Sequence, residues 1–141
     1  MFWVGFLLIQ ATVVACIMIG SSFTTFVNAP SLLLTFIGGH LAVWMVHGKQ
    51  SVEVLTPSFA KNNPKQGIII AGTARRAYVT VGWIGVLIGS IQMGAGLDDL
   101  SSFGPAFAVL MLCPFYGHLM EFSIWMPLER VMMVQAQSLE S

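Results

Sequence analysis

The chain has 141 residues, of which 56% are hydrophobic and only 9% are charged, and its formal net charge is zero. Its mean hydropathy of +0.81 is far above that of a soluble domain of this size and indicates an integral membrane protein. The balanced charge gives no basis for nucleic acid or an acidic substrate as the partner. Cys16 and Cys113 lie in apolar runs without metal-ligand or redox spacing, so we expect two small buried side chains.

Four apolar runs approach the roughly 20 residues that a helix needs to cross a bilayer. They lie at about 3–22, 31–47, 77–97 and 105–126. Because none alternates with a period of two, a barrel is excluded and an all-α membrane protein remains. Pro30 suits the first turn of the second helix, and Gly104-Pro105 suits that of the fourth. We predict one domain over residues 1–141, with a first run that is retained because no basic segment or cleavage site accompanies it.

The basic residues all lie on one side of the predicted membrane. They fall between the second and third runs or just after the fourth: Lys49, Lys61, Lys65, Arg75, Arg76 and Arg130. The positive-inside rule therefore places both termini in the cytoplasm, with a short cytoplasmic loop at 48–76. In that loop we expect a turn-rich break at 61–67 and a helical extension at 68–78. Arg75 and Arg76 would then act as an interfacial anchor or as a contact for a cytoplasmic partner.

Two further patterns concern packing and the membrane boundary. Gly82, Gly85 and Gly89 in the third run, and Gly38-Gly39 in the second, are small residues at spacings that let helices approach closely. They predict packing within a bundle or between subunits. Near the ends of the runs lie Trp3, Trp44 and Trp125, where amphipathic rings favour the interface.

Polar residues concentrate in the fourth run. Pro114, His118 and Glu121 follow one another at i+4 and i+3 and therefore share one helical face, with Phe107 and Met111 near the same stripe. At about 1.5 Å per residue, Glu121 lies in the cytoplasmic third of the helix. A charged residue at such a depth usually faces a bundle interior or a water-filled cavity.

The residues alone leave several roles open for these polar groups. Glu121 can be a hydrogen-bonded packing residue, protonated or paired with Arg130 or with another subunit; it can also be a group on an ion path or a substrate-binding carboxylate. His118 can be satisfied by backbone or by Glu121, while we expect His40 to be a packed polar contact and His47 to be solvated. Three scattered histidines do not form a metal site, and the sequence has no nucleophile–base pair or phosphate loop. We therefore expect neither a cofactor nor an enzyme.

Residues 82–131 resemble the membrane core of the MotA/TolQ/ExbB proton-channel family, and most closely its MotA/PomA flagellar stator branch. The family pattern is a GxIGTLIGLxxM helix, an acidic LDD-type turn, a GPxxAVALLTTxYG helix and a proline that closes the helix before a basic residue. The matching residues are Gly82, Gly85, Gly89, Met93, Leu97, Asp98, Asp99, Gly104, Pro105, Ala108, Val109, Tyr116, Gly117 and Pro127. The run FVNAPSLLLTFIGGHLAV, at 26–43, is similar to the second helix of that branch.

The resemblance implies a multi-pass protein of the bacterial inner membrane, in contact with lipid. It implies a homo-oligomeric ring, a pentamer, around a dimer of single-helix partners related to MotB, ExbD or TolR. In the family the partner's aspartate carries the ion, the third and fourth helices line the path, and ion flow drives mechanical work on an envelope partner, as in flagellar motility.

The chain departs from the family in two respects. Val86 stands where a pore-facing threonine is common, and Cys113-Pro114 stands in place of a Thr-Thr pair, so a proton is favoured over sodium. We hypothesise that His118 and Glu121 replace the missing hydroxyls on the path. The loop between the second and third helices also lacks the family's large cytoplasmic domain, which indicates a minimal member. A non-conducting scaffold and a small proton-coupled exporter are the alternatives.

Overall fold

A computed structural model of the chain describes residues 2–20, 23–97 and 99–139, and these form helices without any strand. The helices are α1 (Phe2–Gly20), α2 (Ala29–Leu32), α3 (Gly39–His47), α4 (Gln50–Glu53), α5 (Pro57–Asn62), α6 (Pro64–Ala95), α7 (Leu100–Met120) and α8 (Met126–Ser138). A 3₁₀ turn at Phe23–Phe26 follows α1. Two π-helical segments, Leu33–Gly38 and Glu121–Trp125, join α2 to α3 and α7 to α8 into two continuous rods.

Three helical stretches are long and apolar enough to cross a membrane: Ala29–His47, Pro64–Ala95 and Ser101–Ser138. They support the predicted all-α membrane protein. The stretch Gln10–Ile19 of α1 is apolar but shorter, so the first span stays a prediction, as do the orientation of the termini and the oligomer. The helical extension expected at 68–78 is confirmed, because α6 begins at Pro64.

α1 packs loosely against the other helices. The amide of Gln10 donates to the Ser123 hydroxyl at 2.6 Å, which ties α1 to the π-helical segment Glu121–Trp125. Much of the remaining surface of α1 is exposed, including Cys16. The expectation of two buried cysteines is therefore wrong for Cys16 and confirmed for Cys113.

The fourth run neither begins nor ends where the sequence predicts. α7 starts at Leu100 because Asp99 caps it there, so Pro105 lies inside the helix rather than in its first turn. Pro127, expected to close the helix, lies instead in the first turn of α8, which continues to Ser138. Proline has no N–H to donate to the residue four positions earlier, which normally kinks or stops a helix. Here the wider π-helical turn immediately before Pro127 changes the bonding register, so the rod passes the proline without ending.

The connection between α3 and α6 is compact. Gly48 ends α3 with a positive φ of 55°, a conformation that favours glycine. The short helices α4 and α5 follow, and Thr56 caps α5 by accepting a hydrogen bond from the Phe59 amide. The turn-rich break expected at 61–67 is reduced to Asn63, because Pro64 has the fixed φ that suits a first helical turn and starts α6 directly.

The best-packed core lies where α3, α4, α6 and α8 meet. It consists of Val43, Val54, Ile70, Ala71, Ala74, Tyr78, Trp125 and Met132. Trp125 is only 2% exposed and its ring centroid lies 6.0 Å from that of Tyr78. The prediction of an interfacial Trp125 is therefore wrong, whereas Trp44 is exposed as a lipid-facing residue would be. The side chain of Trp3 lies outside the described part of the structure.

Glycines of α6 form a close seam with α7. A Cβ added to Gly85 would lie 2.2 Å from the Cys113 Cβ. One added to Gly89 would lie 2.6 Å from the backbone nitrogen of Leu110 and 2.8 Å from the carbonyl oxygen of Ala106. Such distances leave no room for a side chain, so the predicted glycine packing is confirmed as a contact within one chain.

The other predicted glycines, and also Gly117, pack inside the bundle. A Cβ on Gly82 would lie 3.0 Å from the backbone of α7, and one on Gly117 would lie 2.6 Å from the Tyr78 carbonyl oxygen. The second helix approaches α6 in the same way, with Gly38 beside a valine methyl group and Gly39 against the Tyr78 ring. α6 is therefore the central helix of the bundle.

Asp99 caps α7. Its carboxylate accepts hydrogen bonds from the Ser101 amide at 2.9 Å and from the Ser101 hydroxyl at 2.8 Å. These bonds hold the pKa of Asp99 below its ordinary value. The stabilisation that this cap gives to the folded chain is therefore complete above the ordinary pKa of aspartate. It is lost as the pH falls through the lowered pKa of Asp99. Its neighbour Asp98, a residue of the acidic-turn pattern, lies outside the described residues.

Candidate functional site

A cleft of about 440 Å³ opens between α6, the π-helical segment Glu121–Trp125 and α8. Its lining combines five ionisable side chains with two small or apolar residues: Gly72, Arg75, Arg76, Val79, His118, Glu121 and Glu129. We call this feature the charged cleft. It lies within or next to the apolar stretches Pro64–Ala95 and Ser101–Ser138, where charged side chains are rare.

Arg75 bridges two carboxylates in the charged cleft. Its Nη1 donates to Glu129 Oε2 at 2.7 Å, and its Nη2 donates to Glu121 Oε1 at 3.1 Å. The side chains are 32% exposed for Arg75, 20% for Glu121 and 13% for Glu129, so the ion pairs are shielded from bulk water but not sealed. One guanidinium thus separates two carboxylates that would otherwise repel each other, and it ties α6 to both halves of the α7–α8 rod.

His118 completes the chain of polar contacts. Its Nδ1 lies 3.2 Å from Glu121 Oε2, the carboxylate oxygen that Arg75 does not contact. The imidazole is 55% exposed, so the other side of the ring is open. The predicted shared face of His118 and Glu121 is confirmed, and the cation beside Glu121 is Arg75 rather than Arg130.

A strip of surface leads away from the charged cleft along α7. It consists of the exposed residues Phe103, Phe107, Met111, His118 and Phe122 together with the half-buried Pro114. Spacings of three, four and seven residues keep these side chains on one helical face. We call this surface the α7 strip, and it contains the predicted stripe of Phe107, Met111, Pro114 and His118.

α6 contributes a parallel row beside the α7 strip. Val79 and Val86 follow Arg75 at i+4 and i+11, which places all three on one helical face, and all three are half-buried. Val86 therefore belongs to the same side of the helix as the charged cleft. The two rows together form a surface that is apolar over most of its length and charged at one end.

Cys113 lies away from this surface. It is fully buried between α6 and α7 against Gly85, and its carbonyl oxygen accepts a hydrogen bond from the Thr35 hydroxyl at 3.4 Å. Of the predicted ion-path residues, the structure thus brings His118 and Glu121 together, places Pro114 and Val86 on the surface that leads to them, and separates Cys113.

The other predicted polar residues lie outside the charged cleft. His47 is half-buried with Nε2 3.1 Å from the Thr73 hydroxyl, so the expectation of a solvated His47 is wrong because α6 extends far enough to cover it. His40 is half-buried on α3. Among residues 2–20, 23–97 and 99–139, no group of three or more histidine, cysteine or acidic side chains is placed to hold a metal ion.

Sequence reasoning missed Glu129 and the internal role of Arg75. A signal for Arg75 was present, because a carboxylate within an apolar helix calls for a nearby cation, and Arg75 and Arg76 were expected at the membrane boundary. Glu129 follows Glu121 by eight residues, but the predicted end of the helix at 126 concealed that the two side chains belong to one rod.

Comparison of the chain with protein-family models, with curated proteins and with solved structures finds no match. The function is therefore inferred from the charged cleft and the surface beside it.

Proposed function

We propose that the chain is a subunit of a proton-driven complex of the bacterial inner membrane and a minimal relative of the MotA/TolQ/ExbB family. In this proposal several copies, five by analogy with that family, form a ring around a dimer of single-helix partners. The α7 strip faces the centre, protons pass along it to the charged cleft, and the flow drives mechanical work on an envelope partner. The observation that carries the proposal is a half-exposed histidine, hydrogen-bonded to an arginine-paired carboxylate, at the end of an exposed helical strip.

The exposure of His118 is the first support. A polar ring within an apolar helix is costly to place in lipid, and such residues almost always face a bundle interior or a water-filled cavity. His118 is 55% exposed in the single chain. We therefore expect another molecule or a column of water to cover His118 in the membrane, as it would at the centre of a ring.

The chemistry of the surface favours a proton over a metal cation. Hard cations require several oxygen ligands, whereas both oxygens of Glu121 already contact Arg75 and His118. At the positions where hydroxyl groups could coordinate a cation, the surface has Val86 and Pro114 instead. An imidazole can take up and release a proton near neutral pH without any additional ligand.

Of the two arginines that were candidates for contact with a cytoplasmic partner, we retain one. Arg75 is engaged by two carboxylates, so it is a poor candidate for an external contact. Arg76 is exposed beside it and remains available for that role in the proposed complex.

Proton flux into vesicles tests the proposed function. We expect the complex, purified with its bound partner from native membranes and reconstituted, to acidify vesicles in response to a pH gradient and a potential. Glu121→Gln and His118→Ala should each lower this flux at least severalfold, because they interrupt the only described chain of polar contacts on the strip. His47→Ala is the matched control and should leave the flux unchanged. Full flux in both cleft variants would contradict the proposal.

A non-conducting scaffold is the second candidate, and the Arg75 bridge favours it. Two ion pairs that join α6 to the α7–α8 rod can serve as a mechanical clamp without any passage of ions. In that case the wild-type complex would carry no flux, while the Glu121→Gln variant would lose stability.

A further inference from the structure

We infer that His118 is the proton-accepting group of the charged cleft and that it accepts the proton at Nε2, while Glu121 remains a charged acceptor held in place by Arg75 and Glu129. This inference rests on the proposed function and assigns different tasks to the four residues. His118 handles the proton, and Arg75, Glu121 and Glu129 are positioning residues.

The contacts of Glu121 fix the hydrogen on His118. A carboxylate can only accept hydrogen bonds, and each of its oxygens has a nitrogen within hydrogen-bond distance here: Arg75 Nη2 at Oε1 and His118 Nδ1 at Oε2. The hydrogen of the neutral imidazole must therefore be on Nδ1. This assignment leaves the lone pair on Nε2, so Nε2 is the nitrogen that can accept a proton.

The position of Arg75 explains why Glu121 is not itself the carrier. Its guanidinium is anchored on the far side by Glu129 at 2.7 Å, the shortest ion pair of the site. A second glutamate at that point prevents the guanidinium from swinging away, so a positive charge stays beside Glu121. Protonation of Glu121 would replace its charge-assisted contact with Arg75 by a weaker neutral one, so the ion pair opposes protonation there.

The charges that face His118 come from every element around the cleft. They are Glu121 on the π-helical segment, Arg75 and Arg76 on α6, and Glu129 on α8. Two carboxylates and two guanidinium groups balance when the imidazole is neutral. A proton on His118 therefore adds one net positive charge to the site.

The proposed step involves one proton and no electrons. Nε2 accepts a proton from water in the charged cleft, the ring becomes imidazolium, and Nε2 then returns the proton to water. The Nδ1–H bond and its contact with Glu121 are unchanged throughout, and no bond between heavy atoms forms or breaks.

Nitrogen-15 NMR on the full-length complex in lipid bilayers, with labelled histidine, tests the assignment directly. The His118 signals are identified by their loss in His118→Asn. We expect the neutral ring to carry its hydrogen on Nδ1 in the wild type, and Glu121→Ala to produce the Nε2–H form because the fixed acceptor is gone. If the neutral His118 imidazole of the wild type carries its hydrogen on Nε2, the inference is overturned, whatever the complex transports.

Flux measurements separate this inference from the proposed function. Asparagine places an amide nitrogen at the same bond count from Cβ as Nδ1, so His118→Asn can keep the contact with Glu121 but has no group that titrates. We expect its flux to fall to that of empty vesicles, while His47→Asn matches the wild type. Arg75→Gln should lower flux severalfold and weaken the Nδ1–H signal, with partial rescue of both by Arg75→Lys. A conducting wild type with an equally conducting His118→Asn overturns the inference alone, and a wild type without flux overturns both.

Discussion

Gly89→Ala is expected to destabilise the folded chain by about 3 kcal/mol, at the upper end of the cost of overpacking a core. The added methyl group would lie 2.6 Å from the backbone nitrogen of Leu110 and 2.8 Å from the carbonyl oxygen of Ala106. Backbone atoms of a helix cannot rotate away as a flexible side chain can, so α6 and α7 must separate along the seam. Loss of their van der Waals contact is costly in a membrane, where helices gain no hydrophobic free energy by associating.

Equilibrium unfolding in mixed micelles measures this effect. The matched control is Gly94→Ala on the same helix, where a Cβ would meet nothing within 4 Å. There the change should stabilise by up to about 1 kcal/mol, because alanine favours a helix more than glycine does. Equal unfolding free energies for the two variants would show that the seam does not hold α6 against α7.

Trp125→Ala is expected to cost about 3–5 kcal/mol, the usual range for removal of a large buried aromatic side chain. Trp125 is 2% exposed and lies in the core that joins α3, α4, α6 and α8, where it packs against Tyr78. The alanine variant leaves a cavity at the junction of four helices. These helices surround the end of the bundle that carries Glu129, so loosening them should also widen the charged cleft.

Trp125→Phe is the informative comparison for this site. The indole Nε1 is buried and has no hydrogen-bond partner among the described residues. Phenylalanine keeps most of the aromatic packing and removes a donor that gains nothing from burial. We expect this variant to lie within about 1.5 kcal/mol of the wild type, as other conservative core substitutions do. A loss as large as that of the alanine variant would contradict the buried, unpaired placement of the indole.

The sequence was sufficient for the features that depend on local spacing. Apolar length located three of the helices, Pro30 marked a first turn, and the i+3 spacing of His118 and Glu121 predicted their shared face. The glycine spacing of α6 predicted close packing, but its partner became apparent only in the structure. A small residue shows where a helix can be approached and carries no information about which helix approaches.

The errors arise where a local pattern is changed by its surroundings. Pro127 would normally end a helix, and the preceding π-helical turn allows α8 to continue. The same turn changes the angular position of the residues near it, so Trp125 is directed into the core rather than to an interface. Arg75 pairs with Glu121, 46 positions later, and with Glu129, 54 positions later. Contacts between residues so far apart in sequence cannot be predicted from the periodicity of a single helix.

The two ends of the bundle differ in how tightly they are packed, which fits different roles in the proposed complex. The end with α4, α5 and α8 contains the well-packed core and the two ion pairs of Arg75. Toward the other end, α6 and α7 are held mainly by the glycine seam and present exposed apolar surface. A well-packed end and an exposed apolar surface fit a subunit that lines a path together with neighbouring molecules.

Imaging of the purified complex in lipid nanodiscs tests the central proposal most directly. We expect a closed ring of five identical subunits, with a pair of helices from another chain in the middle. The α7 strip should face that centre, with His118 at the end nearer α8. A monomer, or a ring in which the α7 strip faces lipid, would contradict the proposal that this surface lines a proton path.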